Sequence, residues 1–230
     1  WRAVPQGHRF SGDQALMGMD FQPPHPVQFR GSGVARAMVR ILGWQMDFQG
    51  LPAQQGVILV YPHTSNWDFP VAVLLKWALG IPVQFWGKDT LFRIPLFGSW
   101  LRWLGGVPVR RSAPQGVVGQ MTAMMKQKKA AGQYFWLALS PEGTRRLTAG
   151  WRSGFYRLAL EADVPVGLAG LDYSRKRLVF RDFVRLSGDE DRDLKRMAAS
   201  LRDFHGFRAA AAAPVRLINS DPPQADTIVK

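Results

Sequence analysis

A histidine and an aspartate stand five residues apart in the stretch PHTSNWDFP, residues 62–70. A neutral imidazole can remove the proton of an attacking hydroxyl, and a carboxylate can orient that imidazole and stabilise its charged form. His63 and Asp68 are therefore a candidate catalytic dyad, which Ser65 and Asn66 could hold in place. The same stretch is also compatible with an ordinary loop histidine beside a helix that Ser65 or Asn66 caps.

Two further segments carry side chains suited to anions. The stretch GGVPVRR ends in Arg111, and the stretch PEGTRR contains Gly143, Thr144 and Arg145. The planar guanidinium group of arginine binds phosphate in two-point geometry, and a glycine allows close backbone approach. Taken separately, the first segment could be a solvated basic turn and the second an ordinary loop.

The elements that would position these residues alternate along the chain. Strands are predicted at 56–61, 83–87, 107–109, 133–139 and 164–173, with one or two outer strands at 177–186. Helices are predicted at 68–80, 96–106, 116–132, 153–164 and 189–207. This alternation predicts an α/β fold with a mostly parallel central sheet flanked by helices. His63 and residues 141–145 each follow a predicted strand, at the ends where such sheets bind ligands.

A first helix is predicted at 34–48. Its apolar face consists of Val34, Ala37, Met38, Ile41, Trp44 and Phe48, with Arg36 and Arg40 opposite. A basic, aromatic-containing amphipathic helix is typical of segments that lie on an anionic membrane surface. The alternative is that this face packs against the sheet.

Whole-chain features limit the other possibilities. The 230 residues suit one domain at 34–208, preceded by an irregular arm at 1–33 and followed by a flexible tail at 209–230. The absence of cysteine excludes disulfides, thiolate nucleophiles and cysteine-based zinc sites. Neither a Gly-x-Ser-x-Gly nor a Walker A sequence is present. With four histidines, no metal site is expected.

The formal charge of +13 predicts an anionic partner. Nucleic acid is not expected, because no recognised nucleic-acid-binding motif is present. No segment has the length and apolarity of a membrane span, and no signal peptide is recognisable. We therefore expect a cytoplasmic protein that binds the inner face of the membrane peripherally.

In this order and spacing, the segments resemble the glycerophospholipid acyltransferase family, which includes 1-acyl-glycerol-3-phosphate acyltransferases. His63 and Asp68 match its His-x4-Asp motif, and residues 141–145 match its Pro-Glu-Gly-Thr-Arg motif at every position. The resemblance covers about residues 34–185. Weaker matches are Gly105 and Arg111 of a Gly-x-x-Phe-x-x-Arg motif with Pro108 replacing Phe, a partial Val-Pro-Ile-type strand at 164–166, and the frequent lysine at Lys88.

The resemblance implies transfer of an acyl group from acyl-CoA or acyl-carrier protein to the hydroxyl of a lysophospholipid such as 1-acyl-glycerol-3-phosphate. His63 would act as the general base and Asp68 would orient it, with no cofactor and no metal. The implied substrate-binding residues are Lys88, Arg111, Glu142, Gly143, Thr144 and Arg145. A carboxylate beside a phosphate is unfavourable, so Glu142 is expected to orient an arginine or bond a glycerol hydroxyl. The alternatives are another lyso-lipid or amino-lipid acceptor, or a non-catalytic basic lipid-binding protein.

Overall fold

The computed structural model describes residues 31–109 and 116–218. Its helices are α1 Gly33–Ile41, α2 Asp68–Leu79, α3 Phe97–Trp103, α4 Gly116–Ala130, α5 Gly154–Glu161 and α6 Glu190–Leu201. Its strands are β1 Gln45–Phe48, β2 Gln55–Tyr61, β3 Val83–Lys88, β4 Gly106–Val109, β5 Phe135–Leu139, β6 Trp151–Arg152, β7 Val166–Asp172, β8 Arg177–Val184 and β9 Leu217–Ile218. Short 3-10 turns lie at Asp89–Arg93 and Ala209–Ala211. The predicted alternation of strands and helices is confirmed.

Within these described ranges, seven strands form one sheet in the order β1-β8-β7-β2-β5-β3-β4. Strands β7, β2, β5, β3 and β4 are mutually parallel. Strand β8 is antiparallel to β7, and β1 runs parallel to β8. The central strands are apolar along almost their whole length, as expected for strands buried on both faces. The mostly parallel α/β sheet of the prediction is therefore confirmed.

Helices cover both faces of this sheet. On one face, α1 and α2 pack through Ala35, Val39, Leu75 and Ala78. On the other face, α4, α5 and α6 bury a larger core that includes Met125, Phe155 and Met197. The result is a three-layer domain whose strand ends are open for a binding site.

The predicted helix at 34–48 is wrong beyond Ile41. Gly43 adopts a left-handed φ of 75°, its N–H donates to the carbonyl of Arg40, and the N–H of Trp44 donates to the carbonyl of Val39. This pair of bonds is the Schellman motif that ends a helix. The chain then continues as β1, where Phe48 stacks on Phe180. Trp44 is buried, so neither aromatic residue belongs to an exposed helical face.

The predicted flexible tail is wrong for residues 209–218. Ala213 is fully buried, and its carbonyl accepts a 3.0 Å hydrogen bond from the hydroxyl of Tyr61. Strand β9 pairs with β6 through Trp151 and Leu217. These contacts are made between residues far apart in sequence, which composition alone does not reveal. The predicted arm at 1–30 and the rest of the tail, 219–230, lie outside the described residues.

No helix among the described residues is both long and apolar enough to cross a bilayer.

Candidate active site

The site lies at the carboxyl ends of β2 and β5, which are adjacent and parallel. Leu59 of β2 is in register with Leu139 of β5. His63 follows the end of β2 by two residues, and the Pro-Glu-Gly-Thr-Arg loop begins two residues after Leu139. The common register therefore brings the two motifs to the same edge of the sheet.

His63 and Asp68 are in direct contact. The Nδ1 atom of His63 lies 3.1 Å from Oδ2 of Asp68, and the backbone N–H of Ser65 donates to the same oxygen at 2.8 Å. The side chain of Asp68 is 1% exposed, whereas that of His63 is 19% exposed. An imidazole held through Nδ1 keeps Nε2 free to accept a proton, which is the arrangement that a general base needs.

Asp68 also begins α2, where the positive end of the helix dipole favours an anion. Burial by itself would raise the pKa of Asp68, but hydrogen bonds from His63 and from the Ser65 N–H, with the nearby Tyr173 hydroxyl, hold that pKa below its ordinary value. The carboxylate is therefore stabilised in its charged form, in which it accepts a hydrogen bond from Nδ1 of His63.

The hydroxyl of Tyr173 lies near this carboxylate. Neither the buried Tyr173 hydroxyl nor Oδ1 of Asp68 has a hydrogen-bond partner of good geometry among the described residues. The two groups interact electrostatically instead, and burial together with the Asp68 carboxylate raises the pKa of Tyr173. The hydroxyl therefore stays protonated beside the carboxylate.

Ser65 and Asn66 differ in their relation to the dyad. Ser65 is buried and holds Asp68 through its backbone N–H, while its hydroxyl accepts a 3.1 Å bond from the N–H of Trp67. Asn66 is exposed. In the described part of the chain no side chain caps the start of α2. The cap of α2 by the side chain of Ser65 or Asn66, which the loop-histidine interpretation predicts, is therefore not formed in this part of the chain.

Glu142 lies behind the dyad loop and is 1% exposed. Its Oε2 accepts the backbone N–H of His63 at 2.6 Å, and its Oε1 accepts that of Ala213 at 2.9 Å. Burial raises the pKa of Glu142, although both N–H bonds and the proximity of His63 act to lower it. Both carboxylate oxygens bond the backbone, and among the described residues no arginine pairs with Glu142.

Beyond Glu142 the loop comes to the surface, with Gly143 and Arg145 exposed and Thr144 half-buried. Gly143 has a φ of 65°, and a methyl group in place of its hydrogen would lie 2.7 Å from Nε of Arg152. The hydroxyl of Thr144 accepts the N–H of Arg146 at 3.4 Å, and Arg145 is exposed. Among the described residues, no hydrogen bond or ion pair joins Arg145 to the dyad. Arg111 lies outside the described residues, and so does the side chain of Lys88, whose backbone ends β3.

An apolar cavity of about 240 Å³ opens beside the dyad. His63, Asp68 and Ser140 line one end of it. The remaining lining residues are Val60, Phe69, Ala72, Val73, Lys76, Val83, Phe85, Trp86, Leu104, Ala138 and Leu139. A hydrocarbon chain could therefore lie between α2 and the sheet with its reactive end at the histidine.

Three residues of the site are not predicted as site residues from the sequence. Arg152 lies against Gly143, Lys76 reaches into the apolar cavity, and Ala213 anchors Glu142. Lys76 interrupts an otherwise apolar helix, which is a signal in the sequence itself. The positions of Arg152 and Ala213 depend on long-range contacts that carry no local signal.

Comparison with known proteins decides the family. The family model described as Acyltransferase matches residues 45–167, more than half of the chain and including both motifs at the strand ends. The chain belongs to the acyltransferase family.

Two individual proteins are similar to this acyltransferase. The chloroplastic 1-acyl-sn-glycerol-3-phosphate acyltransferase BAT2 of Brassica napus is 29% identical over 128 residues, which are 54% of this chain and 36% of the relative. The matched region thus spans little more than a third of that curated relative. The crystal structure of the 1-acyl-sn-glycerophosphate (LPA) acyltransferase PlsC from Thermotoga maritima aligns over 72% of each chain, with 18% identity and a TM-score of 0.46.

Proposed function

We propose that the protein transfers a fatty acyl group from an acyl thioester to the hydroxyl of a lysophospholipid such as 1-acyl-glycerol-3-phosphate. The observation that carries the proposal is the His63–Asp68 contact at the mouth of an apolar cavity. The imidazole of His63 suits activation of an attacking hydroxyl, and the apolar lining of the cavity suits the hydrocarbon chain of the acyl group. The Brassica relative named for this activity supports the same acceptor.

In the proposed mechanism His63 donates its Nδ1–H to Asp68 and accepts the acceptor's hydroxyl proton at Nε2. The acceptor oxygen forms a bond to the thioester carbon, and the tetrahedral intermediate then breaks its carbon–sulfur bond. The departing thiolate takes the proton from the imidazolium, which restores the neutral base. Positioned acid–base catalysis of this kind contributes about 10²–10⁴-fold. The scheme uses no metal and no resident cofactor, and acyl-CoA or acyl-carrier protein enters as the co-substrate.

The phosphate of the acceptor is proposed to bind cations of the two motif loops. Arg145 is exposed on the loop that follows β5, and Arg111 lies close in sequence to the end of β4. Arg152 lies against Gly143 and adds a third cation to the same region. Thr144 and Lys88 remain predicted substrate contacts, carried by the family motifs. Glu142 is proposed instead as a positioning residue that fixes the His63 backbone.

An anionic membrane surface is the proposed partner of the whole molecule. The proposed docking face consists of exposed apolar residues of α1, of its C-cap residue Leu42 and of the segment 91–103. They are Val34, Met38, Ile41 and Leu42, with Leu91, Ile94, Leu96, Phe97, Trp100 and Trp103. Both α1 and α3 contact α2. The N–H of Ser32, the N-cap of α1, donates to the carbonyl of Trp77 in α2, and Trp103 of α3 contacts the ring of Trp77. Exposed apolar groups accompanied by arginines are typical of surfaces that bind acidic bilayers.

The proposal is tested by mass spectrometry of products formed by the purified protein. Lysophosphatidic acid, lysophosphatidylcholine, lysophosphatidylethanolamine and an amino-lipid are each offered with acyl-CoA and with acyl-carrier-protein donors. We expect transfer to the phosphate monoester to exceed transfer to the others. Transfer only to a different lipid would support the alternative acceptors, and lipid binding without transfer would support the non-catalytic alternative.

A further inference from the structure

Asp68 has a buried carboxylate oxygen, Oδ1, that takes no part in the contact with His63. The other oxygen, Oδ2, contacts Nδ1 of His63 and accepts the backbone N–H of Ser65. Oδ1 has no hydrogen-bond partner of good geometry in the described part of the chain. The terminal torsion of an aspartate side chain is broad, so two donors on a single oxygen do not by themselves fix the plane of the carboxylate. A donor to Oδ1 would satisfy a buried acceptor and would also oppose that rotation.

The hydroxyl of Tyr173 is a donor that suits this oxygen. It is buried near the Asp68 carboxylate and, among the described residues, it too has no hydrogen-bond partner of good geometry. Burial and the carboxylate raise the pKa of Tyr173, so the hydroxyl keeps its proton and can act as a hydrogen-bond donor. Buried polar groups are almost always paired in folded proteins. A donor and an acceptor that both depart from this rule at the same site therefore point to each other.

The ring of Tyr173 is fixed by its surroundings. Tyr173 follows the last residue of β7, which is parallel to β2, so it lies at the same edge of the sheet as the dyad. Its ring makes T-shaped contacts with Trp44 and Phe207, at centroid distances of 5.1 and 5.4 Å. Its backbone N–H donates to the carbonyl of His205 at 2.9 Å. The hydroxyl is thus held beside Asp68 before substrate binds, and little further ordering is needed for it to act.

We propose that Tyr173 is a positioning residue of the acyl transfer, whose hydroxyl donates to Oδ1 of Asp68 and thereby keeps Oδ2 on the imidazole of His63. Hydrogen bonds of an active site are often poorly aligned without substrate and tighten in the reacting complex. The bond matters most when His63 has taken the acceptor's proton, because the Asp68 charge must then lie beside the imidazolium. The inference rests on the proposed function, since it takes the roles of His63 and Asp68 from it.

The test compares Tyr173→Phe with wild type in the transfer of an acyl group from acyl-CoA to lysophosphatidic acid. The variant keeps the ring and its two aromatic contacts and removes only the hydroxyl. We expect kcat to fall about tenfold, the lower end of the range for a hydrogen bond to a charged group. KM for donor and acceptor should stay close to wild type, because Tyr173 acts through Asp68 and not through either substrate.

Tyr156→Phe is the matched control. It removes a second tyrosine hydroxyl that serves an aspartate, since Tyr156 of α5 donates to Oδ2 of the buried Asp193 of α6 at 2.8 Å. This pair belongs to the helices on the other face of the sheet. Tyr156→Phe should therefore lower the thermal unfolding temperature while leaving both kcat and KM unchanged.

Thermal unfolding sets the temperature of the assay, at which both variants must be fully folded. A wild-type kcat in Tyr173→Phe, an equal fall of kcat in Tyr156→Phe, or a loss confined to KM would overturn the inference and leave the proposed function intact. A wild-type protein that transfers no acyl group would overturn the proposed function itself, and this inference with it.

Discussion

The His63–Asp68 contact depends on a small number of atoms with distinct tasks. Asp68 uses one carboxylate oxygen for both His63 and the Ser65 N–H, and the Tyr173 hydroxyl lies near the same carboxylate. The loop backbone thereby sets the carboxylate before any substrate binds. In the proposed mechanism, such preorganisation places a weak base in position to act on a hydroxyl.

Arg145 is expected to recognise the phosphate of the acceptor. Arg145→Ala should reduce kcat/KM for the phosphorylated acceptor by about 10–150-fold, the value of one charge-assisted hydrogen bond. Arg111→Ala should act in the same direction. Kinetics with lysophosphatidic acid and with the corresponding phosphate-free monoacylglycerol would measure the effect.

The control for this experiment is Arg157→Ala, which removes an exposed arginine from α5. It should leave both acceptors unaffected. Equal losses for phosphorylated and phosphate-free acceptors in Arg145→Ala would show that Arg145 does not bind phosphate.

Much of the site can be located from the sequence, because the two motifs follow apolar runs that only buried strands explain. The placement of His63 and residues 141–145 at one edge needs nothing more than strand order and parallel pairing. The direction of each side chain is not encoded in this way. Glu142 turns inward because the His63 and Ala213 N–H groups lie there, and those groups come from distant parts of the chain.

At the scale of elements, Glu142 connects the loop after β5, the loop after β2 and the C-terminal segment around Ala213. Burial raises its pKa. A carboxyl group whose pKa is higher in the folded chain than in the unfolded chain contributes stability that is fully present below its unfolded pKa. That contribution is lost as the pH rises through the folded value.

Glu142→Gln removes this titration but keeps one acceptor atom. The wild-type free energy of unfolding, taken relative to that of Glu142→Gln, should therefore fall as the pH rises from the ordinary glutamate pKa of 4.5 towards neutrality. Chemical unfolding at several pH values would measure the difference. The same variant should lower kcat more than it raises KM, since Glu142 bonds the His63 backbone. A pH-independent difference would contradict the burial argument.

Two elements show where periodicity misleads. The apolar spacing of 34–48 continues past Ile41, but Leu42 and Gly43 turn the chain into a strand whose side chains alternate instead. Gly43 is itself a stop signal for a helix, so this error could be avoided from sequence. The packing of Ala213 could not be predicted from sequence. A segment rich in alanine and proline has the same composition whether it is buried or exposed.

At the scale of the whole molecule, the charge of +13 and the proposed docking face carry the proposal that the protein binds an anionic bilayer. Val34→Ser with Ile41→Ser removes two side chains that are 72% and 83% exposed. The double variant should fold normally and should cosediment less with vesicles of mixed anionic and zwitterionic lipid. Added salt should weaken binding of the wild-type protein, since each basic residue near such a surface is worth about 1 kcal/mol.

Leu160→Ser provides the matched control for the docking experiment, because Leu160 is an exposed apolar residue on α5, across the sheet from α1. Its vesicle binding should equal that of the wild type. If the double variant binds vesicles as well as Leu160→Ser does, α1 is not part of the membrane contact.

The central claim is that His63 is the base that activates the acceptor hydroxyl. The most direct measurement is the single-turnover rate of acyl transfer by purified His63→Ala, compared with wild type and with His205→Ala, which removes an exposed histidine. We expect His63→Ala to lose at least about 100-fold in rate, the lower range for positioned acid–base catalysis, while its thermal unfolding and lipid binding remain close to wild type. A folded His63→Ala protein that transfers acyl groups at the wild-type rate would contradict the account.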